Sequence, residues 1–384
     1  MTRTTTKARP RGRATGTTAA ATSGRRVAAA PGPAGRIAAD ARIPVAVLGA
    51  TGAVGQRFVS LLDRHPWFRV AALCASDRSA GRAYGDVVRW HLDLPMPAWA
   101  AGMVVAACEP DVEARVAFSG LDAAVAGEIE TRFAASGYAV VSNARNHRMD
   151  PDVPLLVPEV NHPHLALLAK QRRRFARGGL LVTNPNCSTV GLVMALAPID
   201  AAFGVRRVVV ATLQAVSGAG YPGVPSIDIL GNVIPQIGGE EEKIEAESRR
   251  ILGAPGRPAG FKVSAHCHRV PVTDGHTIAL SVATARRAAP ADAVAALREW
   301  RSPLAGLGLP SLPERPLVVR DEPDRPQPRH DRMAGAGMSV TVGRVRPCPV
   351  LGLRMVALVH NTIRGAAGVA LLNAELLKAK GYLA

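Results

Sequence analysis

Residues 43–66 read "IPVAVLGATGAVGQRFVSLLDRHP": a short apolar run, a glycine-rich segment, then apolar residues at helical spacing. This order predicts a buried strand, a tight turn and a helix. Gly49, Gly52 and Gly55 are spaced as G-x-x-G-x-x-G, a variant of the dinucleotide-binding fingerprint. Such a turn lets the backbone approach a pyrophosphate and directs free amide groups at it. A plain strand-to-helix turn would carry the same glycines, so both interpretations stay open.

The segments that follow indicate a parallel sheet. "FRVAALCA" (68–75) completes a βαβ unit of about 30 residues. We interpret "MVVAAC" (103–108), "DAAVAG" (122–127) and "AVVSNA" (139–144) as further short strands with helical stretches between them. The alternation predicts a doubly wound, Rossmann-like α/β domain.

The second half of the chain has longer strands and fewer helices. A helix is predicted over 188–199 and another from the acidic run at 240, whereas long strand-like runs occupy 205–218, 261–285 and 338–360. This pattern of long strands and few helices predicts an α+β domain with a mixed sheet. The last segment, "AAGVALLNAELLKAKGYL", is predicted to be an amphipathic helix that packs back on the first domain.

Part of the net charge of +17 lies in an N-terminal extension. Residues 1–42 contain nine Lys or Arg against one acid, Asp40, which gives 9 − 1 = +8. This Ala-, Thr-, Gly- and Pro-rich segment has no apolar periodicity, so we predict that it is disordered. The rest has few aromatic residues and no basic stripe interleaved with them, so we predict no nucleic-acid partner.

The cysteine pattern and the hydropathy of the sequence bear on the cellular location of the protein. The five cysteines are widely spaced and form no C-x-x-C pair, which argues against a disulfide framework or a metal site and favours a reducing compartment. No run of eighteen or more uncharged apolar residues occurs, so no membrane span is predicted. These features predict a cytoplasmic protein.

The residues after the second strand bear on which dinucleotide would bind. An acid there suits the ribose hydroxyls of NAD, whereas Arg and hydroxyl groups suit the 2′-phosphate of NADP. The segment "CASDRSAG" (74–81) places Ser76, Arg78 and Ser79 in this region and favours NADP, but Asp77 keeps NAD open.

A cysteine and a histidine are candidates for the reactive centre. Cys187, in "TNPNCSTVGL" (183–192), precedes residues at helical spacing, where unpaired amides favour a thiolate. A small buried side chain is an equally good interpretation from the residues alone. His276 follows an Asp-Gly turn at the start of an alternating strand and would handle protons, with His266 and His268 as rivals. Together with a nicotinamide cofactor, these groups define aldehyde-level chemistry through a thioester.

Nine segments in order resemble the aspartate-semialdehyde dehydrogenases of the archaeal and fungal type. They extend from about residue 43 to the C-terminus and read "GATGAVGQRF", "ASDRSAG", "SNARNHRMD", "VPEVN", "TNPNCST", "ATLQAVSGAGYPG", "GNVIPQIGGEEEKIE", "RVPVTDGHT" and "HNTIRGAAG". The chain departs from the family pattern at His268, where Asn is commoner before the substrate arginine.

The resemblance implies three catalytic residues. Cys187 would be the acyl-thioester nucleophile, His276 the acid/base, and Gln214 the group that orients the bound aspartyl substrate. This implied chemistry is the NADP-dependent, reversible conversion of L-4-aspartyl phosphate to L-aspartate 4-semialdehyde and inorganic phosphate. The reaction belongs to the biosynthesis of lysine, threonine and methionine. An acyl-CoA reductase of the malonyl-CoA reductase kind, on the same scaffold, is the alternative.

The resemblance also implies five substrate contacts. Arg269 would pair with the α-carboxylate and Glu240 with the α-ammonium, although Glu241 is near enough to replace it. Arg148 and Lys243 would hold the phosphate, while Asn186 would line the pocket. An acidic first helical turn with a solvated lysine is the structural alternative for Glu240 and Lys243.

The implied cofactor contacts and domains complete the prediction. The domains are a disordered extension (1–42), an NADP-binding domain (43–184) completed by a C-terminal helix (362–384), and a catalytic and dimerisation domain (185–361). At least a dimer is implied, as a homodimer or homotetramer. The implied cofactor-binding residues are Gly49, Thr51, Gly52, Ala53, Val54, Gly55, Ser76, Arg78, Ser79, Ser217, Gly218 and Asn361.

Overall fold

The computed structural model describes residues 41–383. The extension predicted over 1–42 lies outside these residues except for its last two, and its disorder stays a prediction. The described chain builds two six-stranded sheets. In the described range, no helix combines the length and apolar character needed to cross a membrane.

The first sheet is wholly parallel, with strand order β3-β2-β1-β4-β5-β6. The order reverses beside β1, and in such sheets ligands bind at this point, outside the carboxyl ends of the strands. The strands are β1 (Ile43–Leu48), β2 (Phe68–Ala75), β3 (Ala106–Ala107), β4 (Val116–Ser119), β5 (Ala139–Ser142) and β6 (Leu180–Thr183).

Helices accompany this sheet, and aromatic residues fill part of its core. The Phe58 ring lies 5.2 Å from the Phe118 ring, whose other neighbour, Phe68, lies 6.0 Å away. The helices of this half are α1 (Ala53–Leu62), α2 (Tyr84–Val87), α3 (Ala98–Ala101), α4 (Ala123–Ala135), α5 (Pro158–Asn161) and α6 (Leu168–Gln171).

The second sheet is mixed, with strand order β10-β11-β12-β9-β7-β8. The β7–β8 and β10–β11 pairs are parallel and the other pairs are antiparallel. Both sheets therefore confirm the predicted fold class. The strands are β7 (Val205–Gln214), β8 (Lys262–Arg269), β9 (His276–Thr284), β10 (Leu317–Val319), β11 (Val340–Cys348) and β12 (Gly352–Val359).

One face of the second sheet is covered by helices and the other is open. Val208 and Val210 of β7 are buried in the core, whereas Val209 and Leu213 on the opposite face are 46% and 39% exposed. The helices of the second half of the chain are α7 (Cys187–Phe203), α8 (Ser226–Ile229), α9 (Glu240–Ile251), α10 (Pro290–Glu299), α11 (Pro328–Asp331) and α12 (Gly368–Ala379), of which α12 packs in the core of the first sheet.

The C-terminal segment differs from the prediction. A π-helical turn (Ile363–Ala367) leads directly into α12, and every residue from Gly368 to Leu377 is buried. The segment is therefore not amphipathic, because the core of the first sheet surrounds it with apolar side chains that include Leu371 and Leu376.

One predicted strand is wrong. Residues 122–127, "DAAVAG", form the start of α4, and the strand lies earlier, at Val116–Ser119. The Asp122 carboxylate accepts a hydrogen bond from the Ala124 amide at 2.8 Å and caps the helix. The apolar run was short enough to suit either element, and the cap decides between them.

Candidate active site

The glycine turn brings two backbone segments closer than a side chain would allow. Gly49 adopts φ +75°, and a Cβ atom added at Gly55 would lie 2.1 Å from the Gly49 carbonyl oxygen. A Cβ atom at Gly49 would lie 2.9 Å from the carbonyl oxygen of Gly120, beyond β4. The helix α1 then begins at Ala53 after Gly52, so its first amides lie at the carboxyl edge of β1. This is the close backbone approach that a dinucleotide phosphate site requires.

The residues predicted to select NADP lie at the end of the neighbouring strand. Ser76, Asp77 and Arg78 are exposed and Ser79 is half-buried in the turn after β2. The Ser79 amide donates to the Ser76 carbonyl at 2.8 Å. This turn is separate from the residues that line the cavity described next.

A cavity of about 610 Å³ joins the glycine turn to Cys187. Its lining consists mainly of loop and helix residues that follow the strands of both sheets, and the chain brings them together from positions more than three hundred residues apart. Eleven predicted site residues line it: Ala53, Val54, Arg148, Asn186, Cys187, Gln214, Ser217, Gly218, Glu240, Lys243 and Asn361.

Cys187 is the first residue of α7, which begins one residue before the start predicted from the helical spacing. Asn186 caps the helix, and its side-chain oxygen accepts hydrogen bonds from the amides of Ser188 at 3.0 Å and Thr189 at 3.3 Å. The cap fixes the backbone on both sides of the sulfur.

The backbone lowers the pKa of the thiol as predicted, but this effect is outweighed, so the predicted thiolate is wrong. The pKa of Cys187 is raised to about 12, chiefly by burial and then by the charge of Glu240, against the opposing effects of Arg148, Arg269 and a backbone hydrogen bond at Ser188. The thiol is therefore neutral at pH 7, because desolvation and a nearby carboxylate outweigh the helix terminus.

Glu240 is the centre of a polar cluster on one wall of the cavity. Its carboxylate accepts from Asn186 Nδ2 at 2.7 Å, from Gln214 Nε2 at 3.2 Å and from Lys243 Nζ at 2.5 Å. Burial opposes ionisation of Glu240, but Lys243, Asn186 and Gln214 together lower its pKa below the usual value. The cluster therefore holds an anion beside the nucleophile. Glu241 faces elsewhere, since it accepts from the Cys267 amide at 2.9 Å.

His276 and Arg269 lie next to Gly218, which lines the cavity. A Cβ atom at Gly218 would lie 2.7 Å from Arg269 Nη1 and 3.1 Å from His276 Nε2. Arg269 Nη1 donates to the Ala215 carbonyl at 2.9 Å, and the Ala215 amide donates to His276 Nδ1 at 3.0 Å. Because Nδ1 accepts a hydrogen bond, the proton of the neutral ring lies on Nε2, which has no hydrogen-bond partner among residues 41–383.

The surroundings of His276 keep its ring neutral. Its pKa is lowered to about 3, chiefly by burial and then by the nearby Arg269 guanidinium and the His360 ring. The rival histidines lie elsewhere: His266 is exposed on β8, and His268 Nδ1 lies 3.2 Å from the Thr212 carbonyl oxygen.

Asn361 connects the predicted cofactor residues of the second half. Its Nδ2 donates to Ser217 Oγ at 2.8 Å, and its Oδ1 accepts from the Gly275 amide at 2.9 Å, directly before His276. One side chain therefore ties the end of β12 to the loop after β7 and to the histidine.

Several residues of the site were missed from the sequence. Asn143, Thr362 and Gly365 line the cavity. A Cβ atom at Gly365 would lie 2.8 Å from Cys187 Cβ, so the π-helical turn packs directly on the nucleophile. The next residue back, Arg364, is fully buried and donates twice to Glu159, at 2.8 Å each. The segment "HNTIRGAAG" (360–368) is one of the nine family-like segments and contains both Thr362 and Gly365, but among its residues only Asn361 was predicted to belong to the site.

Comparisons with known proteins identify the family. The chain matches the family profiles "Semialdehyde dehydrogenase, NAD binding domain" over residues 44–168 and "Semialdehyde dehydrogenase, dimerisation domain" over residues 196–364. It is 51% identical over 343 residues to aspartate-semialdehyde dehydrogenase of Methanothermobacter thermautotrophicus, covering 87% of this chain and 99% of the relative. It is 50% identical over 359 residues to that of Cryptococcus neoformans var. neoformans, covering 89% and 98%.

A solved structure gives the same result. The crystal structure of aspartate semialdehyde dehydrogenase with NADP from Candida albicans matches with a TM-score of 0.82 and 45% sequence identity, covering 89% of this chain and 99% of that one. These matches confirm the resemblance inferred from the motifs. The chain therefore belongs to the aspartate-semialdehyde dehydrogenase family.

Proposed function

We propose that the protein converts L-4-aspartyl phosphate to L-aspartate 4-semialdehyde and inorganic phosphate, reversibly and with NADP, in the biosynthesis of lysine, threonine and methionine. The single observation that carries this function is the cavity that joins Cys187 to the glycine turn, with Arg148, Glu240 and Lys243 in its wall. A nucleophile, a dinucleotide turn and charges of both signs are the groups that this substrate requires.

The residues present suit the dinucleotide. The glycine turn leaves no room for a Cβ atom at Gly55, as expected where the backbone must approach a phosphate closely. Ala53 and Val54, at the start of α1, line the cavity. Ser217, Gly218 and Asn361 would hold the nicotinamide end, and Arg78 and Ser79 would hold the 2′-phosphate. When bound, NADP supplies the hydride exchange between the thioester and aldehyde oxidation levels.

The remaining chemistry belongs to the protein. The Cys187 thiol would lose its proton and attack the acyl carbon of the substrate, and the bond from that carbon to the phosphate would break to release inorganic phosphate and leave a thioester. Arg148 and Arg269 would stabilise the negative charge at sulfur, since both lower the pKa of the thiol. His276 would take the thiol proton at Nε2, its ring nitrogen without a hydrogen-bond partner among residues 41–383. In the neutral ring this requires the tautomer with its proton on Nδ1, so the hydrogen bond from the Ala215 amide to Nδ1 would open first. Gln214 orients the acyl group from its bond to Glu240.

The substrate's own charges match the other side chains. Arg269 would pair with the α-carboxylate and Glu240 with the α-ammonium. Arg148 and Lys243 would hold the phosphate, and Asn186 would complete the wall of the pocket. The acyl-CoA reductase alternative is not favoured, since the named relatives are aspartate-semialdehyde dehydrogenases.

The open face of the second sheet would serve assembly. Val209 and Leu213 are partly exposed there, and the region matches a family profile described as a dimerisation domain. The chain would form a homodimer or homotetramer through this face. The cytoplasmic location and the domain boundaries stay predictions.

Phosphate dependence tests the proposed reaction. In the oxidative direction, L-aspartate 4-semialdehyde and NADP should give continuous NADPH formation only when inorganic phosphate is present. Without phosphate the acyl group should remain on Cys187, so NADPH formation should stop after a burst of about one equivalent per subunit. The absorbance of NADPH measures both phases. Continuous turnover without phosphate, or a requirement for coenzyme A, would contradict the proposal.

Replacing Arg269 by Leu should raise KM for the aldehyde about 10- to 100-fold and lower kcat/KM by more than that factor. The physical reason is loss of a buried guanidinium that would pair with the substrate carboxylate. Arg257→Leu, at an exposed position, is the matched control. Steady-state kinetics on folded protein measure the effect, and an unchanged kcat/KM would remove this role from Arg269.

A further inference from the structure

Two carboxylates of α9 reach the residue that precedes the nucleophile. Glu240 accepts a hydrogen bond from the side chain of Asn186, and Glu247 accepts one from its backbone amide at 2.5 Å. The two glutamates are seven residues apart, so they project from the same face of the helix, two turns apart. The helix therefore holds Asn186 from both its side chain and its backbone.

The second oxygen of Glu247 holds a different part of the site. Arg148 Nη1 donates to Glu247 Oε1 at 2.9 Å, and Arg148 Nη2 donates to the Asn143 carbonyl at 2.8 Å. Both side chains of this ion pair are buried, with exposures of 9% for Arg148 and 2% for Glu247. This buried ion pair therefore differs from an exposed surface pair, whose side chains are free to move in solvent.

We propose that Glu247 is a positioning residue, which uses its two oxygens to fix Arg148 relative to the helix end that carries Cys187. The inference rests on the proposed function, because it takes Arg148 as a phosphate-binding group. In the phosphate-releasing and phosphate-adding steps, the C–O bond between a phosphate oxygen and the sulfur-bound carbon breaks or forms, so the rate depends on how closely and in what orientation these two atoms are held. Glu247 is the one side chain in the described range that is hydrogen-bonded to both Arg148 and the Asn186 amide.

Only a carboxylate of this length meets both requirements. Arg148 and the Asn186 amide are both donors, and an ionised carboxylate offers acceptors at both of its oxygens. A glutamine would present an NH₂ group to one of the two donors and displace it. An aspartate would keep the charge, but its side chain is one methylene shorter and would reach only one of the two partners.

A purely electrostatic role makes the opposite prediction. If Glu247 acted only through its charge, its removal would leave Arg148 more attractive to phosphate, and KM for phosphate would fall. If Glu247 positions Arg148, loss of the carboxylate should raise KM for phosphate in spite of the lost negative charge. The direction of the change separates the two roles.

The experiment compares Glu247→Gln, Glu247→Asp and Glu242→Gln in the full-length protein. Glu242 is exposed on the same helix and provides the matched change of charge. In the oxidative direction, both Glu247 variants should raise KM for phosphate about tenfold and lower kcat about tenfold, with KM for NADP within about twofold of the wild type. Thermal unfolding establishes that each variant is folded, and Glu242→Gln should match the wild type.

The outcomes distinguish the inference from the function on which it rests. A wild-type protein without phosphate-dependent turnover would overturn the proposed function itself. Phosphate-dependent wild type with unchanged Glu247 variants would overturn only the positioning role. A lowered KM for phosphate in Glu247→Gln, with Glu247→Asp like the wild type, would assign a role to charge alone. Loss of folded protein in both variants would make Glu247 a structural residue and also overturn the proposal.

Discussion

Serine in place of Cys187 should lower kcat for phosphate-dependent NADP reduction by at least about 10⁴-fold. The hydroxyl group would occupy the same first position of α7, with Asn186 still capping the helix. A serine hydroxyl is a much weaker acid and a much weaker nucleophile than a thiol, so the acyl-enzyme would form far more slowly. Substrate binding should persist, because Arg269 and Glu240 are unchanged.

Cys348→Ser is the control for this substitution. Cys348 is another buried free thiol, at the end of β11, and it does not line the cavity. The control should keep its activity, and mass spectrometry of quenched reactions should find an acyl adduct on the wild type and on Cys348→Ser alone. A Cys187→Ser protein with more than a tenth of the wild-type kcat would exclude the covalent mechanism.

Asparagine in place of His276 should lower kcat about 10²- to 10⁴-fold. The Asn oxygen can still accept the hydrogen bond that the Ala215 amide gives to Nδ1, so the loop keeps its anchor. The group that disappears is Nε2, the ring nitrogen left for proton exchange. Steady-state kinetics in both reaction directions measure the loss, and His266→Gln, on the exposed face of β8, is the control.

The pH dependence gives a second measurement for His276. Because burial lowers its pKa to about 3, the ring gains a second proton only in strong acid and stays neutral from pH 5 to pH 9. The profiles of kcat against pH for the wild type and His276→Asn should therefore run parallel over this range. An acidic limb near pH 6.5 in the wild type that vanishes in the variant would contradict the low pKa.

Local signals in the sequence predicted the parts of the site that a few adjacent residues determine. The glycines at 49 and 55 sit where the backbone leaves no room for Cβ, and the helix that follows Asn186 begins at Cys187. The family resemblance implied that Arg148, Glu240 and Lys243 are site residues, and in the structure all three line the same cavity. Their roles in the reaction stay proposals.

Features that depend on distant residues could not be predicted in this way. The thiol was expected to be acidic because the helix terminus is visible in the sequence, whereas its burial and the approach of Glu240 arise only from tertiary packing. Glu247 looks like any other charge on a polar helix until the fold places it against Arg148. The burial of α12 on all sides likewise depends on the first sheet, which is distant in the chain.

The π-helical turn has a consequence for synthesis of the protein. Gly365 packs on Cys187, and the turn leads into α12, whose side chains belong to the core of the first sheet. Residues 363–379 leave the ribosome after every other described element. A nascent chain can therefore form the strand and glycine turn at its start early, but it cannot enclose its reactive sulfur until translation has passed this segment. The order of synthesis thus delays assembly of the catalytic pocket until the first sheet can also complete its core.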